Sequence, residues 1–481
     1  MAYGEGGYAR VRWAGYGSTG FQPPTQVLPP PVPGGSTAYY WSSWNGQYPY
    51  AYLSYAGVPP QIAVVYGGVV ATPNAALGVM EVQGWWPDAP VLHVVRVHAD
   101  GSRHPVRGGY GITVDEVTRL NYSQNPSFEI GLNGVVTDAG TPALTRIDIA
   151  AHPSIPMGGY AMRATVAGAG SNGVTIPTAL TGSLPVTIAF DARFSVRPTG
   201  LRVVVSWTDS VGGALATNTV NISSTKINET VNQFARVLAT LTPPAGAVTP
   251  TVKIIADGVT AGSTMDLDGI TIERSSTSDG TRFDGDTLGG SWVGTEGLST
   301  SRLAPVQTIL DGECPLDVPV SYVVTSPSIT GGLVTSNAVA LPSSGRFCWL
   351  THPLRSSTPL RVDLKDVPTL EHAIERGVFY PIGATQAVTV STRRRTPQTE
   401  LVFNATSFEA RDDLLDLMSD GMPLLLRAPA TYGYGYGTWW AFSNVTEDRE
   451  GRRAYHDAMI LTAQGTSVRT PSPSLYVQEV A

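Results

Sequence analysis

Asp284, Asp286 and Glu296 lie close together in the chain, with Trp292 among them. Paired carboxylates are the equipment of glycoside hydrolysis, one acid protonating the leaving oxygen while the other serves as base or nucleophile. Here they stand in a Gly/Ser/Thr-rich stretch, which predicts a linker rather than a cleft, and without burial their pKa values have little reason to move towards catalytic use. His372 and Glu375 have helical spacing for a metal pair, yet no third ligand and no His-Glu-x-x-His pattern accompanies them, so a polar helix face is expected. Gly433-Tyr434-Gly435-Tyr436-Gly437 lacks the following helix whose N-terminus would receive a phosphate and reads as an aromatic loop at a subunit contact. No Gly-x-Ser-x-Gly elbow or Cys/His arrangement is present, so no catalytic residue is assigned and the chain is not expected to be an enzyme. Trp207 and Trp292 are the candidate glycan-binding residues, because an exposed indole plane among polar neighbours stacks on sugar faces. For Trp207, which ends the mostly apolar run from Leu201, core packing is the stronger reading.

These residues have to be positioned by a chain of 481 residues, which at about 100 to 200 residues per domain suggests about three domains. Charged residues are only 14%, Gly and Pro number 52 and 37, and hydrophobic residues reach 42%. That composition argues against a mainly helical protein and against wholesale disorder. Thirty-one basic against 38 acidic residues give a net charge of −7, with no general positive field for phosphate backbones, so nucleic acid is not an expected partner. No apolar run of about 18 residues and no secretory core at the N-terminus is visible, which predicts synthesis in a cytoplasm without membrane insertion. Cys314 and Cys348 are expected as reduced, packed thiols, since one possible bridge is not a disulfide framework.

Along the chain, residues 1–75 form a Tyr/Gly/Pro-rich tract with Pro29-Pro30-Pro31-Val32-Pro33, read as an extended arm that docks on a neighbour. Short alternating strands follow from Val79, with a hairpin signal at Asp100-Gly101. The same style resumes at Pro319, so 76–118 and 304–345 are assigned to one split β-sandwich. The intervening 119–275 read as an inserted all-β sandwich or jelly roll, with strands set off by Gly/Pro/Asn/Thr turns. Residues 276–303 read as a linker. The segment 346–481 mixes strands with helices at Leu370–Arg376 and Phe408–Ser419, the second capped by Ser407 and stopped by Gly421 and Pro423, which makes it α+β.

Asn125-Pro126-Ser127-Phe128-Glu129 and Met265-Asp266-Leu267-Asp268-Gly269-Ile270-Thr271 resemble the opening and closing strands of carbohydrate-binding-like jelly-roll modules. Phe283-Asp284-Gly285-Asp286-Thr287-Leu288-Gly289-Gly290-Ser291-Trp292 resembles the linker after such modules in minor tail proteins of actinobacterial siphophages. Arg376-Gly377-Val378-Phe379-Tyr380-Pro381-Ile382-Gly383 and the stretch from Leu414 to Arg427 are similar to their distal-tail-like domain. The resemblance runs from about Val79 to Pro471 and persuades by its order. It implies a mainly β multidomain chain: a fibronectin-like sandwich split by a jelly roll, then a distal-tail-like α+β domain. It also implies that Glu129 and Asp268 approach each other, which would suit a structural Ca²⁺.

The function so implied is a structural minor or distal tail protein of a long-tailed bacteriophage. It would sit in the virion at the tail tip, after assembly in host cytoplasm. Its partners would be itself in a threefold or sixfold ring, other tail proteins, and host cell-wall glycans met by the jelly roll. The alternative is a secreted or cell-wall-associated carbohydrate-binding protein, or the accessory module of a cell-wall hydrolase.

Overall fold

A computed structural model describes residues 38–40, 50–52 and 67–471, except 115–116, 151, 153, 329–332, 368, 373–375, 381, 383–384, 392–395, 433–436 and 450–458. The expected arm over 1–75 therefore lies largely outside the described residues; within it, β1 (Ala38–Tyr40) pairs antiparallel with β2 (Tyr50–Tyr52). The chain forms two compact units: Met1–Gly84, Ala89–Val114 and Gln307–Ala481 make the first, and Trp85–Asp88 with Asp115–Val306 the second. The fold is mostly β, built from several sheets.

The first unit opens with β3 (Gly68–Asn74), β4 (Val79–Trp85), β5 (Val91–His98) and β6 (Arg103–Thr113). Alternation in β5 sends Leu92, Val94, Arg96 and His98 inward, the period of two that a half-buried strand requires. At the β5–β6 turn Gly101 takes φ +80° and Asp100 Oδ1 accepts the Ser102 N–H at 2.8 Å.

The second unit contains β7 (Arg119–Asn121), β8 (Val136–Thr137), β9 (Ala143–Asp148), β10 (Tyr160–Thr165), β11 (Gly170–Ile176), β12 (Val186–Phe194), β13 (Gly200–Thr208) and β14 (Ala214–Asn221). A short helix, α1 (Ser224–Glu229), leads to β15 (Ala235–Leu241), β16 (Thr249–Val259), β17 (Thr264–Glu273), β18 (Gly290–Trp292) and β19 (Ser301–Leu303). Two five-stranded antiparallel sheets, β15-β12-β17-β10-β9 and β14-β13-β16-β11-β8, enclose one apolar core that includes Phe190, Phe194, Trp207, Ile254 and Leu267. The outer face of the first sheet is ionic. Asp266 on β17 is held by Arg163 on β10 and Arg193 on β12, and Asp191 on β12 by Arg236 and Arg282. Strands β18, β19 and β7 form a third, small sheet.

The chain then returns to the first unit as β20 (Gln307–Asp311), β21 (Pro319–Thr325), β22 (Leu333–Thr335) and β23 (Val339–Ala340). Strand β20 pairs with β4 and β21 with β5, so segments from either side of the second unit share hydrogen bonds. Their packing buries Arg96, whose fork meets Asp311 while Tyr322 donates to the same carboxylate at 2.8 Å. Six further strands, β24 (Phe347–Thr351), β25 (Leu360–Leu364), β28 (Gln398–Ala405), β29 (Leu424–Arg427), β30 (Thr438–Arg449) and β31 (Met459–Val468), close a barrel in the order β24-β25-β28-β31-β30-β29. β26 (Arg376–Phe379) and β27 (Val388–Ser391) pair with each other outside it. Helix α2 (Phe408–Met418) packs Leu414 and Leu417 into the barrel core. Arg427, fully buried, donates to the Gly78 and Cys314 carbonyls, and burial lowers it to about 10. Burial also pushes the thiols of Cys314 and Cys348 up to about 12.

One expectation changes here. In place of a helix over Leu370–Arg376, Glu371 bridges Gln398 and Arg376 begins β26, while 373–375 lie outside the described residues. Leu370 is 38% exposed, and Glu371 and His372 are exposed. Within the assigned linker 276–303, β19 pairs with both β18 and β7.

Candidate functional site

The opening segment of the second unit is laid against β17 by side chains that replace ladder bonds. Asn121 donates to the Ile270 and Phe283 carbonyls and accepts the Ile272 N–H. Phe128 follows with φ 56°, a left-handed backbone that a bulky residue adopts only under constraint. Its ring is wholly buried in the core, which supplies that constraint. Beyond this bend, Glu129 Oε1 accepts the N–H groups of Gly159 and Tyr160 at 2.9 and 3.0 Å, and its carbonyl accepts Arg146 Nη1 at 2.7 Å.

Asp268 sits opposite Asp191 in the β12–β17 register and is wholly buried. Its Oδ2 accepts the Met157 N–H at 2.9 Å, whereas its Oδ1 has no hydrogen-bond partner. Burial pushes this carboxyl up to about 8, helped by the charges of Asp191 and Glu129 and opposed by the backbone N–H groups of Gly269 and Met157. Glu129 thus lies close enough to act on Asp268. The orphaned, buried acid oxygen fits a hard cation, since charge at that point would satisfy both the lone pairs and the desolvation cost. Among the described residues no group of three or more His, Cys, Asp or Glu side chains is placed to hold a metal, so further ligands would have to be backbone carbonyls. Met157, Gly158 and Gly159, the turn that closes on both carboxylates, are marked in the sequence only by the Gly158-Gly159 pair itself.

The two indoles have separate fates. Trp207 is 1% exposed, packs in the core and donates from Nε1 to Asn218 Oδ1 at 2.8 Å, so it is corrected from a sugar-stacking candidate to a core residue. It is also the one aromatic side chain in the strands of the β14-β13-β16-β11-β8 sheet, whose outward positions include Ser206, Thr217, Thr219 and Thr251. Trp292 remains half-buried; Gly285 lies so flat on its pyrrole ring that a Cβ there would collide with it. Asp286 Oδ1 accepts its Nε1–H at 3.0 Å, which fixes the ring in its plane. Ile130, 52% exposed, and Val293, 36% exposed, border the same region, where Gly297 closes on Ile130.

The three acids do not make a catalytic pair. Asp284 is buried, contrary to the solvated setting expected for it, but its oxygens are taken by Ser127 Oγ, by the N–H groups of Asp286 and Thr287, and by Thr287 Oγ1. It staples the turn beneath Trp292. Asp286 and Glu296 are exposed. In the first unit, His372 is exposed and Glu375 lies outside the described residues, as do 433–436 of the Gly-Tyr loop.

No protein-family model matches the sequence, and no curated protein matches it. Among solved structures, the chain is similar to a family 16 carbohydrate-binding module at 15% identity, covering 32% of this chain and 99% of that one, with a TM-score of 0.24. The CBM22-2 xylan-binding domain of Paenibacillus barcinonensis Xyn10C is 15% identical, covering 31% of this chain and 98% of that one at a TM-score of 0.23. The enzymatically active domain of bacteriophage CBA120 tailspike protein 4 is 16% identical, covering 32% and 21% at 0.26.

Proposed function

We propose that this chain is a structural minor or distal tail protein of a long-tailed bacteriophage, with the first unit as scaffold and the second as a displayed module that adheres to host-envelope glycans. The supporting observation is the pairing of β7 with β19. The strand by which the chain enters the second unit lies beside the strand by which it leaves, so a complete sandwich with its own core begins and ends at one two-stranded stem. Such a module interrupts the chain between β6 and β20, and the β4–β20 and β5–β21 registers run without a shift across the interruption.

Within the module, Trp292 offers the ring face and exposed Asp286 beside it a polar contact. Glu129 and Asp268 hold a structural Ca²⁺ with backbone carbonyls, stiffening the loop of Met157–Gly159 rather than taking part in chemistry. Weak sugar contacts act through many copies, which a threefold or sixfold ring joined to other tail proteins at the virion tip supplies. No residue is assigned to catalysis.

The test is electron microscopy of intact particles labelled with an antibody against the second unit. Label clustered at the tail tip is the expected result. Unlabelled particles, with the protein free in the lysate, would replace this reading by that of a secreted glycan-binding protein.

A further inference from the structure

We propose that two copies of this chain join through β14, by antiparallel pairing of the two strands about a twofold axis that extends the β14-β13-β16-β11-β8 sheet across both molecules. β14 is an end strand. Its register with β13 runs unbroken from Arg202↔Asn221 to Ser206↔Thr217, and among the described residues the backbone groups on its other side pair with no strand.

The remaining sandwich edges carry the devices that discourage such pairing. β8 spans two residues, β9 carries Arg146 and Asp148, and β15 carries Arg236. β14, Ala-Leu-Ala-Thr-Asn-Thr-Val-Asn, has neither charge nor proline along its whole length. Near Ala214 the pairing with β13 shifts register, but the five residues from Thr217 to Asn221 form a regular, uncharged edge, which is a template for another strand. Its side chains are already committed to their faces: Leu215 and Val220 pack on the core, Asn218 accepts from Trp207, and Thr217, Thr219 and Asn221 are exposed.

A second copy is the occupant that this edge fits. A neutral strand offers no charge for a charged peptide to complement and places no like charges opposite itself. In an antiparallel pair each strand exchanges N–H and C=O groups with the same alternation, so a twofold satisfies both edges at once. An axis perpendicular to the sheet keeps Thr217 and Thr219 on the face occupied by their counterparts. Directly opposed Cβ atoms then lie about 4.5–5.5 Å apart. One strand pair buries little area, so the contact is weak and concentration-dependent.

The experiment is disulfide trapping in the full-length chain carrying T217C and T219C together, oxidised with copper phenanthroline and read on a non-reducing gel. A twofold centred at position 217, 218 or 219 brings one of these positions against itself or against the other in the second copy. The native Cys314 and Cys348 are wholly buried and stay silent. The control carries T249C and T251C, two exposed threonines of the same spacing on the interior strand β16. Covalent dimer from the β14 pair should exceed that from the control by on the order of tenfold, as an effective concentration set by pairing requires. Equal trapping by both pairs, or no dimer from either, would overturn the proposal.

Discussion

Trp207 is the last inward position of a strand in which Leu201, Val203 and Val205 enter the core, and its ring follows them inward. That placement was legible in the run of apolar residues before it. The setting of Trp292 was not, because what fixes its ring is Gly285 and Asp286, and a glycine pressed against an indole leaves no trace in composition. Asp284 was hidden for the same kind of reason: its polar partner Ser127 lies far back in the chain. Glu129 and Asp268 were named through a resemblance, but the orphaned Oδ1 and the turn that closes on it appear only in three dimensions. The two tryptophans should separate cleanly on substitution. Trp207→Ala removes a fully buried ring and its hydrogen bond to Asn218, with a loss of about 3–5 kcal/mol. Trp292→Ala removes a half-buried one and should cost no more than about 1 kcal/mol. Urea unfolding of both variants checks this, and comparable losses would mean that Trp292 is a core residue with no face to offer a sugar.

Helix α2 shows what a local signal can carry by itself. Ser407 in extended backbone accepts the Ala410 N–H at 3.1 Å, Glu409 lies in the first turn, and Gly421 follows the end with φ +69°. Each of these residues acts within a turn or two, so the element could be read directly. Ser407→Ala should therefore lower stability by about 1 kcal/mol. A shift in urea midpoint at constant slope would show it, and an unchanged midpoint would mean that barrel packing alone holds the helix. The segment from Leu370 had helix-forming residues, yet Glu371 finds its partner in distant Gln398 and forms a bridge instead. The stretch 276–303 had linker composition, yet β19 finds β7 far back in the chain. Strand pairing over such distances outweighs local composition, which is why strands were legible here and their neighbours were not.

At the scale of the whole molecule, each compact unit has its own apolar core: Phe190, Trp207 and Ile254 belong to one, Leu401, Phe403 and Trp440 to the other. Units with separate cores are expected to unfold as separate cooperative transitions. The proposed Ca²⁺ belongs to the second unit alone, through Glu129 and Asp268. A ligand present at a hundredfold excess over its dissociation constant stabilises the folded state by about 2.7 kcal/mol. For a unit of this size that corresponds to roughly 5–10 °C in midpoint. Calorimetry of the full chain in EDTA and in excess Ca²⁺ should thus show two transitions, of which one moves upward with the metal and the other stays fixed. Asp268→Asn keeps the shape of the side chain but removes the anionic ligand, so the mobile transition should lose its response to Ca²⁺ while Ser407→Ala shifts only the fixed one. If both transitions moved together with the metal, or neither moved, the cation would have no specific seat at Asp268, and the unpartnered oxygen would be that of a carboxyl which burial keeps protonated.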